Sequence, residues 1–216
     1  MKKSFFPWTE QEHSLLNKLD RPIKTQNYLN RLAYDPLPGT ASPRRVMKEG
    51  KANCFEGALF AAAALRHIGH PPLLVDMRAH NDDDHVLAVF RQNGAWGCVA
   101  KSNFTVLRFR EPVYRSIREL IMSYFDVFFN SIGEKTLREY SAPFDLVRFD
   151  KDEWMTTDRD LSYIGDALDR ARHYKVMTRK MIRNLQMTDK DLVKAGLMGA
   201  KKAGLFNPKG SKKIRK

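Results

Sequence analysis

One stretch of the sequence constrains the fold more than any other. It reads NCFEGALFAAAALRHI and begins at Asn53, a residue type that favours helix N-caps and so places Cys54 in the first helical turn. Residues Phe55–Ile68 are apolar nearly all round, so this helix must be buried on most sides. Gly69 and the Pro-Pro pair shortly after it prevent its continuation. The rest of the chain therefore has to fold around one enclosed helix that begins with a cysteine.

Strand signals follow this helix. Pro72–Arg78 is rich in β-favouring residues and predicts a strand. His85–Arg91 and Ala95–Ser102 predict a hairpin, because the Asn93-Gly94 pair between them favours a two-residue turn. Thr105–Arg110 alternates apolar with polar residues and predicts a third strand of the same sheet. We therefore predict an α+β fold, in which a small antiparallel sheet packs on the buried helix.

Helical patterns flank this core on both sides. The predicted helices and helical pieces are a short helix capped by Thr9, Pro22 to about Leu32, Pro43 to Gly50, Pro112 to about Asn130, Glu134–Tyr140, about Asp158 to Leu185, and a last helix to about Gly199. Residues 1–187 are predicted to form one domain with a core at about 50–110. Residues 188–206 carry the C-terminal helix, and residues 207–216 are predicted to be a disordered basic tail.

Composition narrows the class of protein. Of the 216 residues, 43 % are hydrophobic and 29 % are charged, which is ordinary for a globular protein. The longest purely apolar run is Ala58–Leu65, too short for a bilayer span, and the N-terminus has no signal-peptide pattern. We expect a cytoplasmic protein with no membrane contact, in which Cys54 and Cys98 are free thiols.

The net charge of +13 is distributed unevenly along the chain. Residues 175–216 carry a net charge of +11, whereas residues 1–174 carry only +2. A basic segment of this kind can contact nucleic acid or an acidic partner through charge. It can equally serve solubility, and it lacks the interleaved aromatic residues that stack on bases.

Cys54 and His85 are candidate catalytic residues. A thiol in the first turn of a helix lies at the positive end of the helix dipole, which favours the reactive thiolate, and the free N–H groups there can hold an oxyanion. His85 opens an otherwise aliphatic strand and has the right chemistry for the base that such a nucleophile needs. The alternatives are a small buried hydrophobe for Cys54 and an ordinary strand-end histidine for His85.

The hairpin register bears on a third residue that would orient the imidazole. A two-residue turn places His85 opposite Ser102, whereas a three-residue turn places it opposite Asn103. Asn103 is preferred because its amide oxygen is a firm acceptor, and Ser102 is the fallback. Trp96, Asn53 and Ser102 are further candidates for the wall of a substrate cleft. A position for Trp96 in the core is an equal alternative.

No cofactor is predicted. The segment His80–His85 contains atoms that could ligate a metal, but side chains crowded on a short loop seldom converge on one ion. No phosphate-binding glycine loop is present, so the sequence does not support a nucleotide enzyme. We therefore predict no metal site.

Residues about 50–103 resemble the core of the transglutaminase-like superfamily, papain-related thiol enzymes with Cys, His and Asp in that order. The resemblance rests on CFEGALFAAAALRHIGHPPLLV, on HVLAVF, and on the glycine turn with Trp96 after it. It implies that Cys54 is the nucleophile and His85 the base. It also implies acyl transfer at a protein or peptide amide, by hydrolysis, deamidation or crosslinking.

The chain departs from the family at the third position. Members usually have an Asp a few residues after the tryptophan, whereas GCVAKSN supplies no carboxylate. Asn103 can fill the position, since papain-like enzymes use Asn there. The departure also favours an alternative, an inactive transglutaminase-like scaffold. A further alternative is a binding module that acts through its basic C-terminal segment.

Overall fold

The computed structural model describes residues 8–37 and 39–209. The protein is a mixed α+β fold with a seven-stranded antiparallel sheet. The helices are α1 (Glu10–Lys18), α2 (Pro22–Arg31), α3 (Pro43–Glu49), α4 (Cys54–His67), α5 (Ile117–Met122), α6 (Ser162–Asp169), α7 (Arg179–Arg183) and α8 (Lys190–Gly196). The strands are β1 (Ala33–Tyr34), β2 (Lys51–Ala52), β3 (Leu73–Ala79), β4 (His85–Gln92), β5 (Ala95–Val99), β6 (Arg110–Tyr114), β7 (Leu137–Ser141), β8 (Phe144–Asp145) and β9 (His173–Lys175).

The sheet has the strand order β6-β5-β4-β3-β7-β9, and β8 also pairs with β3. All of these pairings are antiparallel, while β1 and β2 form a separate parallel pair. The predicted antiparallel sheet is confirmed, and it is larger than the sequence indicated. The added strands come from the C-terminal half of the chain.

Helix α4 is the enclosed helix that the sequence predicts. Residues 56–65 are all buried, and the helix packs against β3, β4 and the three N-terminal helices. The sheet has an apolar layer on each face. Val86, Ala88 and Phe90 belong to the cluster around α4, and Leu87 and Val89 to the cluster around α5. This strand alternation places α4 on one face of the sheet and α5 on the other.

The β4–β5 hairpin has the predicted two-residue turn, because Gln92 pairs with Ala95. Pairing between the two strands nevertheless stops at Val99. The side chain of Gln26 on α2 takes over at the next residue: Ala100 N donates to Gln26 Oε1 (3.0 Å), and Gln26 Nε2 donates to Ala100 O (2.9 Å). This clamp ends the hairpin and turns the following residues away from β4.

Four sequence predictions in the C-terminal half are wrong. Residues 105–108 form turns and bends, and only Arg110 of the predicted strand is extended, as the first residue of β6. Pro112 also lies in β6, Glu134–Tyr140 overlaps β7, and the long helix at 158–185 is replaced by α6, β9 and α7. Residues 112–130 are helical only in α5 and in a short 3-10 turn at 125–127. Apolar residues at three- and four-residue spacing occur here, but pairing with distant strands decides the structure.

The predicted basic tail is only partly described. Asn207–Lys209 have defined positions, and the main chain of Lys209 exchanges two hydrogen bonds with the side chain of Asn81. Residues 210–216 lie outside the described residues. In the described ranges, no helix has both the length and the apolar character that a bilayer crossing requires.

Candidate active site

A cavity of about 480 Å³ opens where α4 begins and β4 starts. Both Cys54 and His85 line it, as do Asn53, Ser102 and Asn103. Further walls come from the loops at 34–37 and 82–84, from Leu107 and Phe128, and from residues 203–206 near the C-terminus. The two residues that the sequence predicted as nucleophile and base therefore line one cavity.

A capping box fixes the start of α4. The Asn53 side chain accepts a hydrogen bond from Glu56 N (2.9 Å), and the Glu56 carboxylate accepts one from Asn53 N (2.9 Å). The second Glu56 oxygen accepts a hydrogen bond from Ala41 N (2.8 Å), which ties the helix start to the preceding loop. Asn53 is the predicted N-cap, and Cys54 is the first helical residue.

The Cys54 thiol is half-buried beside the start of β4. Its Sγ lies 3.9 Å from Asp84 O. Burial raises the pKa of Cys54 to about 12, and the negative charge of Asp83 adds to this. The main-chain N–H groups of Phe55, Val86 and Cys54 itself lower the pKa of the thiol without offsetting burial. The expected thiolate is therefore not the resting form, and the sulfur is a neutral thiol surrounded by N–H donors.

His85 is buried on the α5 face of the sheet. Its Nε2 donates to Leu107 O at 2.8 Å, and its ring stands edge-on to Phe128. Because a carbonyl only accepts, this bond fixes the proton on Nε2 and leaves Nδ1 as the basic nitrogen. Burial lowers the pKa of His85 to about 4, the bond to Leu107 opposes this change, and Arg110 adds to it.

No hydrogen bond joins the Cys54 thiol to the His85 ring within the described part of the chain. The sulfur faces the main chain of residues 84–86, while the ring packs in the apolar cluster on the far face of the sheet. The two side chains reach the same cavity from opposite sides of one strand. A direct proton transfer between them requires a change in the Cys54 side chain or a bridging water.

Asn103 does not orient the imidazole as the sequence analysis expected. Its Oδ1 accepts a hydrogen bond from Lys201 N (2.8 Å), and its Nδ2 donates to Lys201 O (2.9 Å) and Gly204 O (3.0 Å). Ser102 Oγ instead accepts a hydrogen bond from Phe104 N (3.0 Å). The Gln26 clamp explains both positions, because it separates the chain from β4 before either residue can lie opposite His85.

Trp96 lies far from the cavity. It pairs with Arg91 near the hairpin turn, and the Arg91 guanidinium stands 5.9 Å from its ring. Six residues of extended strand, about 20 Å, separate Arg91 from His85. The predicted role of Trp96 in a cleft wall is therefore dropped, whereas Asn53 and Ser102 do line the cavity.

The acidic loop before β4 is held by its own contacts. Asp82 accepts a hydrogen bond from Thr136 Oγ1 (2.8 Å), and Asp84 accepts one from Ala79 N (2.7 Å). Burial raises the pKa of Asp82 to about 6. These carboxylates give one side of the cavity a negative character.

Three carboxylates near this loop are close enough to hold a metal ion. Asp76, Asp84 and Asp169 each bring one oxygen within 4.8 Å of the others. His173 Nε2 already lies 3.0 Å from Asp76 Oδ2, and Arg78 Nε lies 3.7 Å from the same oxygen. We interpret the group as an ion-pair network around a buried carboxylate.

Two parts of the site were missed by the sequence analysis. The carbonyl of Leu107 orients His85, and any residue can supply a main-chain carbonyl, so no sequence signal identifies it. The C-terminal residues 203–206 reach the cavity from about a hundred residues further along the chain. The only sequence feature that could have indicated them is the small and apolar run AGLF, which interrupts an otherwise basic segment.

Comparison with protein-family models and with curated protein sequences finds no match to this chain.

The buried neutral imidazole predicts acid sensitivity. The His85 ring takes up a proton at pH about 4 in the folded protein and at about 6.5 in the unfolded chain. The neutral ring therefore makes its full contribution to the free energy of unfolding above pH 6.5. This free energy falls by about 3 kcal/mol as the pH is lowered from 6.5 to 4. Urea unfolding at several pH values measures this slope. His85→Gln is expected to flatten the slope.

His80→Gln provides the matched control, because His80 is exposed on the neighbouring loop. This variant is expected to keep the slope of the unsubstituted protein. Equal slopes in the His85→Gln variant and the unsubstituted protein would show that His85 is not buried and neutral.

Proposed function

We propose that the protein is a transglutaminase-like cysteine hydrolase or acyltransferase acting on a protein or peptide amide. The observation that carries this proposal is the common cavity of Cys54 and His85, with the thiol at the start of a capped, buried helix. The main-chain N–H groups of Cys54, Phe55 and Val86 around the sulfur add support. Such donors stabilise negative charge that develops in an acyl transfer reaction.

In the proposed reaction, Cys54 Sγ attacks the carbonyl carbon of the substrate amide. The thiol proton passes to His85 Nδ1, the nitrogen that the Leu107 bond leaves free, through a bridging water or after a change in the Cys54 side chain. Collapse of the tetrahedral intermediate breaks the C–N bond, and the imidazolium gives its proton to the leaving amine. A thioester remains on Cys54. Water or a second amine then attacks the thioester carbonyl, and His85 takes the proton of the attacking group. The C–S bond breaks, and the Cys54 thiolate that leaves takes this proton back from His85.

The experiment that tests the proposal uses p-nitrophenyl acetate, an activated ester small enough for the cavity. We expect rapid release of p-nitrophenol and an acetyl group on Cys54, located by peptide mass spectrometry. Cys98 is fully buried and serves as the internal control, expected to stay unmodified. His85→Ala is expected to slow the acetylation of Cys54 by at least about tenfold, since it removes the base.

Two results would count against the acyl-transfer proposal. One is native protein in which Cys54 stays unmodified at a concentration that acetylates surface amines. The other is acetylation of Cys54 at the same rate with and without His85, since the imidazole would then take no part in the reaction.

A non-catalytic binding module is the second candidate function. The specific observation in its favour is the electrostatic state of the site, with a neutral thiol, an imidazole whose pKa is about 4, and no hydrogen bond between them in the described residues. An imidazole of that pKa is a weak base at neutral pH. An inactive scaffold of this kind would act through its cleft or its basic segment.

Partners of the basic segment 175–216 belong to this second candidate. Lys180, Arg183, Lys190 and Lys194 of its described part are exposed and available to nucleic acid or an acidic partner. A cytoplasmic location stays a prediction, and it agrees with free thiols at Cys54 and Cys98.

A further inference from the structure

The C-terminal segment, defined here as Lys201–Phe206, lies along the wall of the cavity that holds Cys54. Its last four residues are part of the cavity lining. The segment follows α8 and includes a short 3-10 turn at 202–204. The segment therefore forms part of the wall of the cavity that holds Cys54 and His85.

Asn103 binds the main chain of this segment instead of its side chains. One amide group accepts from the N–H of Lys201 and donates to the C=O of the same residue, and it donates to Gly204 O as well. Asn103 is buried, so these bonds form away from bulk water. An amide that pairs with both polar groups of one residue recognises a peptide backbone whatever its sequence.

Gly204 gives the segment one sequence requirement. A Cβ at this position would lie 2.6 Å from Tyr34 Cε1, 2.9 Å from Tyr34 Cδ1 and 3.2 Å from Asn103 Nδ2. A ring in that position leaves no room for a side chain. The site therefore accepts glycine between the backbone bonds to Asn103 and the apolar pair Leu205-Phe206.

Charge also matches the segment to the cavity. Lys201 Nζ donates to Tyr34 O (3.0 Å). Burial raises the pKa of Asp35, but the hydrogen bonds from Lys51 and Leu37 lower it, and the charges of Lys51 and Lys201 add to this lowering. Asp35 and the carboxylates of residues 82–84 line the cavity. A basic peptide thus meets an acidic wall.

We propose that Tyr34, Asn103 and the acidic side chains beside them form a binding site within the cavity for a basic peptide that carries a glycine followed by two apolar residues, and that residues 201–206 occupy this site in cis. The proposal rests on the proposed function in one respect, since such a peptide would be the substrate class. Binding itself requires no catalysis.

The test uses the full chain with Gly204→Val, which forces the segment off Tyr34. A fluorescent peptide with the sequence of residues 199–209 is titrated against it and followed by anisotropy. We expect the Gly204→Val protein to bind at least tenfold more tightly than the unsubstituted protein, whose own segment competes at high effective concentration. Lys180→Val, an exposed change outside the segment, is the matched control and is expected to behave like the unsubstituted protein.

Two further measurements make the outcome decisive. Amide hydrogen exchange of residues 201–206 is expected to rise in the Gly204→Val protein, with an unchanged melting transition for the rest of the chain. A second peptide with valine in place of its central glycine is expected not to bind. Adding Asn103→Ala to the Gly204→Val protein is expected to weaken peptide binding at least tenfold, provided that the melting transition persists.

The proposal is overturned by unchanged hydrogen exchange, by equal binding of the glycine and valine peptides, or by binding no tighter than in the unsubstituted protein. All of these titrations are repeated with Cys54→Ala. Tight binding without acetylation of Cys54 in the earlier experiment would remove the proposed function and keep the peptide site. Acetylation of Cys54 without peptide binding would remove the peptide site and keep the proposed function.

Discussion

Gly57→Ala is expected to destabilise the protein by at least about 3 kcal/mol, or to prevent folding. A Cβ at Gly57 would lie 2.2 Å from Lys101 Cβ, 3.0 Å from its Cγ and 3.5 Å from its Cα. These atoms lie close to the main chain, so no flexible side-chain end can move away. Overpacking usually costs about 1–3 kcal/mol, and a forced shift of the main chain places this change at or above that upper value.

Lys101 cannot withdraw to make room for the new methyl group. Its Nζ is buried and donates to Leu29 O (2.8 Å) and Leu32 O (2.5 Å) at the end of α2. Burial lowers the pKa of this amine to about 8. Moving Lys101 would therefore break two buried hydrogen bonds of a charged group, which adds to the cost of the substitution.

Urea unfolding of the full chain measures the effect, and Gly165→Ala is the matched control. Gly165 also lies within a helix, but its new Cβ would be 3.4 Å from Phe55 Cε1, an ordinary contact. Alanine gains about 1 kcal/mol of helix propensity over glycine, so this variant is expected to be neutral or slightly stabilising. Equal stability of the two variants would contradict the close approach of α4 to Lys101.

Cys54→Ala is expected to lower the rate of acyl transfer by at least about 10³-fold, because no other side chain in the cavity replaces the nucleophile. Release of p-nitrophenol from the acetate ester gives the rate for a small substrate. Incorporation of a fluorescent amine into glutamine-containing basic peptides gives it for amides. Circular dichroism and the melting transition confirm that the variant is folded.

Cys98→Ala is the matched control for this loss. Cys98 is fully buried in the apolar layer on the α5 side, and its Sγ lies 3.0 Å from Tyr124 Oη. The variant is expected to keep full activity with some loss of stability. Equal loss of activity in the two variants would show that the effect is structural and would refute the assignment of Cys54.

The sequence predicted the first half of the fold well because its signals are local. The Asn53 cap, the Gly69 stop and the Asn93-Gly94 turn each act within a few residues, and all three are present in the structure. The C-terminal half depends on pairing across long distances. β7 pairs with β3 and β9, so the helical periodicity of residues 158–185 was overridden by partners that the local pattern does not contain.

The candidate site divides in the same way. The sequence predicted Cys54 and His85 because a thiol and an imidazole are the side-chain groups that act as nucleophile and base. Both residues line the cavity. The two-residue turn predicted Ser102 opposite His85, but strand pairing ends at Val99, so neither Ser102 nor the preferred Asn103 lies opposite His85. The Gln26 side chain replaces β4 as the partner of Ala100, and the His85 ring donates its hydrogen bond to the carbonyl of Leu107.

The Gln26 clamp also covers the end of strand β5. Its two hydrogen bonds join residues 74 positions apart. They replace the pair of main-chain hydrogen bonds that a neighbouring strand would make to Ala100. A fragment beginning after α2 would leave the N–H and C=O of Ala100 exposed at the end of a strand, free to pair with another molecule. Because α2 precedes the hairpin in the chain, the residue that covers this strand end is synthesised before the strand that needs it.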